Sequence, residues 1–95
     1  MREEFSLRFY TRRECPLCDE MERVIQALDW ERIGVRAGGV NIERRDVDLD
    51  PSWVECYGLS VPVLEFEGRA IAKGRATAAE IEGRLARRLG TGEGD

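Results

Sequence analysis

The spacing of apolar residues changes repeatedly along these 95 residues, and this succession restricts the fold more than any other feature. Residues 5–10 alternate apolar and polar side chains, which predicts a strand. A polar loop over residues 11–14 follows, and after it apolar residues recur at helical spacing. The buried face of this helix is predicted to carry Leu17, Met21, Val24, Ile25 and Leu28. We expect the helix to end between Trp30 and Arg36, before a glycine-rich loop.

The middle of the chain predicts a second strand, a short helix and a hairpin. The second strand covers residues 40–47, and Asp50-Pro51 has the form of a helix N-cap followed by a first-turn proline. The short helix should carry Trp53, Val54 and Tyr57 to the core and end at Gly58. Residues 62–66 predict a third strand, which a tight turn at 67–68 connects to a fourth strand at 70–72.

The last predicted element is a helix that opens with a capping box, Thr77 to Glu80. Its apolar face comprises Ala78, Ile81, Leu85 and Leu89. Gly90 is expected to end it, and residues 91–95 to form a flexible polar tail. The order β-α-β-α-β-β-α predicts an α/β fold, with residues 1–95 as a single domain.

Composition excludes several classes of function. The net charge is −4 and the arginines are interspersed with acids, so we expect no binding to nucleic acid. No apolar run approaches about 20 residues, which argues against a membrane span. Residues 1–6 contain acids and no apolar segment, so no secretory signal is expected and the cytoplasm is the predicted location. The chain has no histidine, which excludes Cys-His or Ser-His catalysis.

Two of the three cysteines, Cys15 and Cys18, stand in a Cys-Pro-Leu-Cys sequence where the first helix should begin. A helix N-terminus lowers the pKa of a nearby thiol because its free N–H groups and partial positive charge favour the thiolate. On a helical wheel Cys18 lies at the edge of the buried face and Cys15 lies towards solvent. This asymmetry predicts that Cys15 attacks and that Cys18 resolves.

Other interpretations of the cysteines remain open at this point. A zinc site within one chain would need four ligands, and only Cys56 could add a sulfur. A cluster shared between two chains, or two incidental buried cysteines, would also fit the spacing. Cys56 itself is predicted to be a small apolar residue near the core.

Several segments of the chain, including the two cysteines, resemble the glutaredoxins, in particular small glutaredoxin-like bacterial domains. The matching segments are Tyr10-Thr11-Arg12, the Cys15–Cys18 motif and Ser60-Val61-Pro62, with Asp46-Val47-Asp48 similar to the end of the family's second strand. The resemblance implies a thioredoxin fold, with a four-stranded mixed sheet in the order 2-1-3-4 flanked by three helices. It also implies a cis Val61–Pro62 bond that directs the backbone of Val61 towards a thiol docked beside Cys15.

The chain also departs from the family. Leu17 stands where glutaredoxins often have tyrosine, and Lys73-Gly74-Arg75-Ala76-Thr77 replaces their glutathione-binding Gly-Gly-x-Asp turn. We therefore expect weak selectivity for glutathione.

The function predicted from the sequence is a glutaredoxin-like thiol–disulfide oxidoreductase. Cys15 and Cys18 are the catalytic residues, while Arg12, Val61 and Pro62 bind the substrate. The expected substrate is a disulfide-containing protein or a small thiol. We expect a monomer with neither metal nor bound cofactor, with glutathione as a possible reductant. The alternatives are a dimer that carries an iron–sulfur cluster and a binding module without redox activity.

Overall fold

The computed structural model of the chain describes residues 5–35 and 39–89. Its elements follow the predicted order. The strands are β1 (Phe5–Thr11), β2 (Val40–Asp46), β3 (Val63–Phe66) and β4 (Arg69–Lys73), and the helices are α1 (Pro16–Gln26), α2 (Pro51–Tyr57) and α3 (Ala78–Leu89). A single 3-10 turn, Val47–Leu49, connects β2 to α2. The predicted helix end at Gly90 and the tail at 91–95 lie outside the described residues.

The four strands form one mixed sheet in the order β2-β1-β3-β4, as the resemblance implied. β1 and β2 are parallel, whereas β3 is antiparallel to both β1 and β4. The carboxyl end of β1 leads directly to the cysteines, and the register places Val63, at the start of β3, opposite Tyr10. The segment before β3 therefore arrives at the same end of the sheet as the Cys15–Cys18 motif.

Apolar side chains cover both faces of the sheet. The larger cluster packs one face of the sheet against α1 and α3, and its buried members include Phe9, Met21, Ile25, Ile81 and Leu85. The smaller cluster, on the side of α2, joins Tyr10, Val47 and Val63 to the half-buried Trp53 and Tyr57. Phe5, Leu7 and Phe9 belong to the larger cluster and Tyr10 to the smaller one, because successive side chains of a strand point to opposite faces of the sheet.

The helix caps and the hairpin turn that the sequence predicted are present in the structure. The carboxylate of Asp50 accepts the N–H of Ser52 at 2.9 Å. In the capping box, the N–H of Thr77 donates to Glu80 Oε1 at 2.9 Å and the N–H of Glu80 donates to Thr77 Oγ1 at 3.1 Å. Glu67 and Gly68 have φ angles of 54° and 80°, the left-handed conformations that a two-residue type I′ hairpin turn requires.

The first helix is shorter than predicted. It ends at Gln26, because the N–H of Ala27 bonds to the carbonyls of Arg23 and Val24 and the chain then turns. The N–H of Asp29 donates to Glu82 Oε2 on α3 at 3.0 Å, which attaches this turn to the last helix. The turns after the helix allow three further apolar side chains to enter the core, namely Leu28, Ile33 and Val35.

Two apolar residues that were predicted to be buried are exposed. Leu17 is 37% exposed and Val54 is 39% exposed. The buried face of α1 runs through Cys18, Met21 and Ile25, and Leu17 lies about 100° away from Cys18 around the helix. The prediction for strand two also extended one residue too far, since Val47 is buried but begins the 3-10 turn.

Candidate active site

The Cys15–Cys18 pair lies at the start of α1, directly after the loop that follows β1. The two sulfurs are joined as a disulfide and the Cα atoms are 5.2 Å apart, within the usual range for such a bridge. Cys15 is half-buried, whereas Cys18 is only 1% exposed. The more accessible sulfur is therefore that of Cys15.

The backbone at the start of α1 presents a hydrogen-bond donor to this sulfur. Cys15 is the N-cap residue, with extended backbone angles, and Pro16 occupies the first helical position. The N–H of Cys18 donates to Cys15 Sγ at 3.1 Å. Donors at a helix N-terminus stabilise an anion, so the same arrangement would stabilise a thiolate at Cys15 once the bridge is reduced.

The segment before β3 contains the cis Val61–Pro62 bond that the resemblance implied. Pro62 is buried, and its carbonyl accepts the N–H of Gly74 at 2.8 Å. The N–H of Val61 donates to the carbonyl of Tyr57 at 3.1 Å, so that donor is already used within the chain. The contribution of Val61 and Pro62 to substrate binding stays a prediction.

Arg12, predicted to contact the substrate, is held by groups of the chain itself. Its Nε and Nη2 donate to the two carboxylate oxygens of Asp48, each at 3.0 Å, and its Nη1 donates to the carbonyl of Gly58 at 3.0 Å. The hydrogen bond from Arg12, with its positive charge, lowers the pKa of Asp48, and the same hydrogen bond raises the pKa of Arg12. The guanidinium thus connects the loop before Cys15 to the 3-10 turn and to the end of α2.

Gly58 is suited to this junction because it has no side chain. A Cβ atom there would lie 2.5 Å from the carbonyl oxygen of Val54, which is closer than real contacts of this kind. The close approach at the end of α2 therefore requires glycine. The sequence indicated Gly58 only as a helix end, and it gave no sign that its carbonyl accepts from Arg12.

A cavity of about 280 Å³ opens beside Arg12 at the carboxyl ends of β1 and β2. Its lining combines three arginines with one carboxylate, one threonine and one exposed leucine: Thr11, Arg12, Arg13, Arg44, Asp46 and Leu49. Ligands of open α/β sheets commonly bind outside the carboxyl ends of the strands.

On the α2 side of the sheet, a buried carboxylate receives two tyrosine hydroxyls. Glu65 is 7% exposed, and its carboxylate accepts from the hydroxyl of Tyr57 and, at 3.4 Å, from that of Tyr10. Burial, and then the hydrogen bond to Glu65, raises the pKa of Tyr57 above its ordinary value of 10.0. Sequence reasoning missed this cluster, although an acid inside an apolar strand, Val63-Leu64-Glu65-Phe66, was a signal that could have shown it.

Cys56 does not lie near the core, contrary to the sequence prediction. Its side chain is exposed on α2, and it is a free cysteine. A seven-residue helix buries little of its circumference, and here Trp53 and Tyr57 occupy the side that faces the sheet.

Across residues 5–35 and 39–89, no group of three or more Cys, Asp or Glu side chains is arranged to hold a metal ion. No helix in the same ranges is long and apolar enough to cross a membrane.

Comparison with known proteins agrees with the fold. A family model described as "Glutaredoxin-like domain (DUF836)" matches residues 6–86. Among solved structures, desulfothioredoxin from Desulfovibrio vulgaris Hildenborough in its reduced form is 26% identical, with a TM-score of 0.61 over 88% of this chain and 81% of that chain. Thioredoxin 1 from the thermophilic eubacterium Thermosipho africanus TCF52B is 20% identical, with a TM-score of 0.58 over 88% and 93%. These neighbours confirm the thioredoxin fold.

Proposed function

This chain belongs to the glutaredoxin-like domain family, and from that premise we propose that it is a thiol–disulfide oxidoreductase. The observation that carries the proposal is the Cys15–Cys18 pair, bridged at the start of α1 with a backbone N–H directed at Cys15 Sγ. We place the reaction in the cytoplasm, where a close cysteine pair can be reduced again after each cycle. The protein acts as a monomer on disulfides and requires neither metal nor bound cofactor, nucleic acid nor membrane.

The reaction proceeds by two thiol–disulfide exchanges. The Cys15 thiolate attacks one sulfur of the substrate disulfide, the substrate S–S bond breaks, and the other substrate sulfur leaves as a thiolate that takes up a proton. Cys18, as its thiolate, then attacks Cys15 Sγ and displaces the remaining substrate thiol. The substrate disulfide has gained two electrons and Cys15–Cys18 is oxidised. A low-molecular-weight thiol or a protein dithiol then reduces the bridge.

The difference in burial between Cys15 and Cys18 supports the different roles proposed for them. A large substrate can reach Cys15, which is half-buried, whereas Cys18 is almost completely buried. Cys18 needs only to reach Cys15 Sγ, and the bridged geometry provides that contact. Attack by Cys15 followed by resolution by Cys18 is the order that this arrangement favours.

Glutathione is a possible reductant of the bridge, but three contacts support low selectivity for it as a bound ligand. The donors Nε, Nη1 and Nη2 of Arg12 already contact Asp48 and Gly58. Thr77 is engaged in the capping box, and Arg75 pairs with Glu20 at 3.5 Å. Absence of one charge-assisted hydrogen bond lowers affinity about tenfold to a hundredfold. Protein disulfides are therefore the preferred substrates.

The test compares Cys15→Ser and Cys18→Ser with the wild-type protein. We expect Cys15→Ser to abolish reduction of a protein disulfide, and Cys18→Ser to accumulate a mixed disulfide through Cys15, detected by intact mass. The wild type should turn over a protein disulfide faster than a small glutathione mixed disulfide in assays with the same reductant. Full activity of Cys15→Ser would show that the chain is not an oxidoreductase of this kind, and faster turnover of the glutathione substrate would contradict the selectivity alone.

A further inference from the structure

A second cavity, of about 450 Å³, lies between β4 and the second half of α3. It is lined by Ala70 and Ile71 of the strand and by Arg84, Arg87 and Arg88 of the helix. Arg84 follows Glu82, whose carboxylate contacts the backbone beyond the carboxyl end of α1. Since the cysteines lie at the opposite end of α1, this cavity is remote from them.

The arginines of this cavity differ from most other arginines of the chain. Salt bridges to carboxylates engage the majority: Arg8, Arg12, Arg32, Arg44, Arg45 and Arg75. Within residues 5–35 and 39–89, none of the three arginines at the cavity has a carboxylate at salt-bridge distance. Among the described residues that line the cavity, none is an aspartate or a glutamate. The concentration of positive charge is notable in a chain whose net charge is −4.

The helix dipole accounts for only part of this cluster. Cations are favoured in the last turn of a helix, which fits Arg87 and Arg88. Arg84 lies one turn earlier, and its Nη1 donates to the carbonyl of Ile71 at 2.7 Å, which fixes its guanidinium against the strand. The spacing i, i+3 and i+4 brings all three side chains to one face, where like charges repel unless an anion lies between them.

We propose that this cavity binds a phosphate group of a small molecule. Guanidinium groups present paired donors that match phosphate oxygens, and the volume is within the range of small-ligand sites. A protein partner fits less well, because docking surfaces depend on apolar anchors. Within residues 5–35 and 39–89, the large apolar residues that are exposed lie outside the cavity lining: Leu17, Ile42, Leu49, Val54 and Leu59.

Inorganic pyrophosphate serves as the probe, because it presents phosphate oxygens without any other recognition group. We expect saturable binding by titration calorimetry at one site, with amide shift changes at Ala70, Ile71 and the second half of α3 in NMR spectra. Arg87→Gln and Arg88→Gln should each weaken binding about tenfold, the effect of one lost charge-assisted hydrogen bond. Both side chains are exposed, so the variants should fold, and circular dichroism checks this.

Arg23→Gln is the matched control, because Arg23 is also an exposed arginine in the last turn of a helix, α1. It removes the same charge and should leave affinity unchanged. Arg13→Gln tests a different arginine-lined cavity, the one beside Arg12 at the carboxyl ends of β1 and β2. Absence of saturable binding, an equal loss in Arg23→Gln, or a larger loss in Arg13→Gln than in Arg87→Gln would overturn the proposal. Equally tight binding of an acidic peptide at the same residues would assign the cavity to carboxylates of a protein partner and would also overturn it.

Discussion

Replacement of Tyr57 by phenylalanine tests how the buried carboxylate of Glu65 is stabilised. The hydroxyl of Tyr57 donates a hydrogen bond to this carboxylate, whereas Tyr10 donates from 3.4 Å and Arg8 Nη1 lies 4.0 Å away. Glu65 is 7% exposed, so water cannot fully replace a lost donor. In Tyr57→Phe the carboxylate stays buried with only the two weaker contacts. The cost of removing it from water is then less well compensated, which destabilises the folded state.

The magnitude follows from the kind of hydrogen bond removed. Hydrogen bonds to charged groups contribute about 1.5–3 kcal/mol. In a domain of about this size, each kcal/mol shifts the melting temperature by about 4–8 °C, so Tyr57→Phe should melt about 6–24 °C below the wild type. Tyr10→Phe is the control. Its hydroxyl lies beyond the usual O–H···O distance, so the loss should be clearly smaller.

The pH dependence gives an independent measure of the same contact. Burial and the hydrogen bond to Glu65 raise the pKa of Tyr57 in the folded protein above 10.0, the ordinary value that applies after unfolding. Below pH 10 both states keep the proton and the stabilisation is fully present. Above it, the unfolded state loses the proton first, so the free energy of unfolding falls as pH rises towards the folded-state pKa. Tyr57→Phe should remove this part of the alkaline decline.

The assay is urea unfolding followed by tryptophan fluorescence, at neutral pH and at several values above pH 10. Equal losses of stability in Tyr57→Phe and Tyr10→Phe would show that the hydroxyl of Tyr57 stabilises the Glu65 carboxylate no more than that of Tyr10 does. An unchanged alkaline slope in Tyr57→Phe would show that Glu65 does not hold the neutral phenol. The result also concerns the site, because the carbonyl of Tyr57 accepts the N–H groups of Ser60 and Val61 before Pro62.

Two further predictions concern Asp48 and Cys56. The hydrogen bond from Arg12 lowers the pKa of Asp48, so its contribution to stability should be present above about pH 4 and lost as pH falls below that value. Asp48→Asn should flatten this acid limb in urea unfolding at pH 2–5, and an unchanged limb would contradict the pairing. Cys56 is exposed, so Cys56→Ala should change stability by no more than about 0.5 kcal/mol and leave disulfide reduction intact. The native oxidised protein should contain one thiol that reacts with a thiol reagent, that of Cys56. If Cys56→Ala still contained a reactive thiol, Cys56 would not be the free cysteine.

The sequence predicted most of the element order because local rules decide it. Asp50 and Thr77 cap helices through contacts that span only two or three residues, and Glu67-Gly68 needs only its own backbone angles to form a turn. The strand order and the cis Val61–Pro62 bond came from the resemblance to the glutaredoxins. Neither could be read from local spacing, because both depend on how distant segments meet.

The failures concern how short helices dock on the sheet. Leu17 and Val54 belong to apolar patterns, yet a helix buries only the strip that faces its neighbour. Hydrophobicity alone does not locate the centre of that strip, and an error of about 100° exposes a residue that seemed buried. The prediction that Cys56 lies near the core was wrong for the same reason. In α2 the aromatic pair Trp53 and Tyr57 determines the docking, and Cys56 falls on the outside.

The position of Arg12 shows why the candidate site was harder to predict than the fold. An arginine in the loop before Cys15 fits a substrate contact, but its partner Asp48 lies 36 residues away in sequence and only the folded topology brings them together. Both groups are partly exposed, so the ion pair itself stabilises little. Its geometry matters more, because one planar guanidinium bonds to a carboxylate and to the carbonyl of Gly58 and so joins three segments around the cysteines. A substrate carboxylate at Arg12 would have to compete with Asp48 for donors that are already aligned, so the contacts show a bracing role for Arg12 while its predicted contact with the substrate stays a prediction.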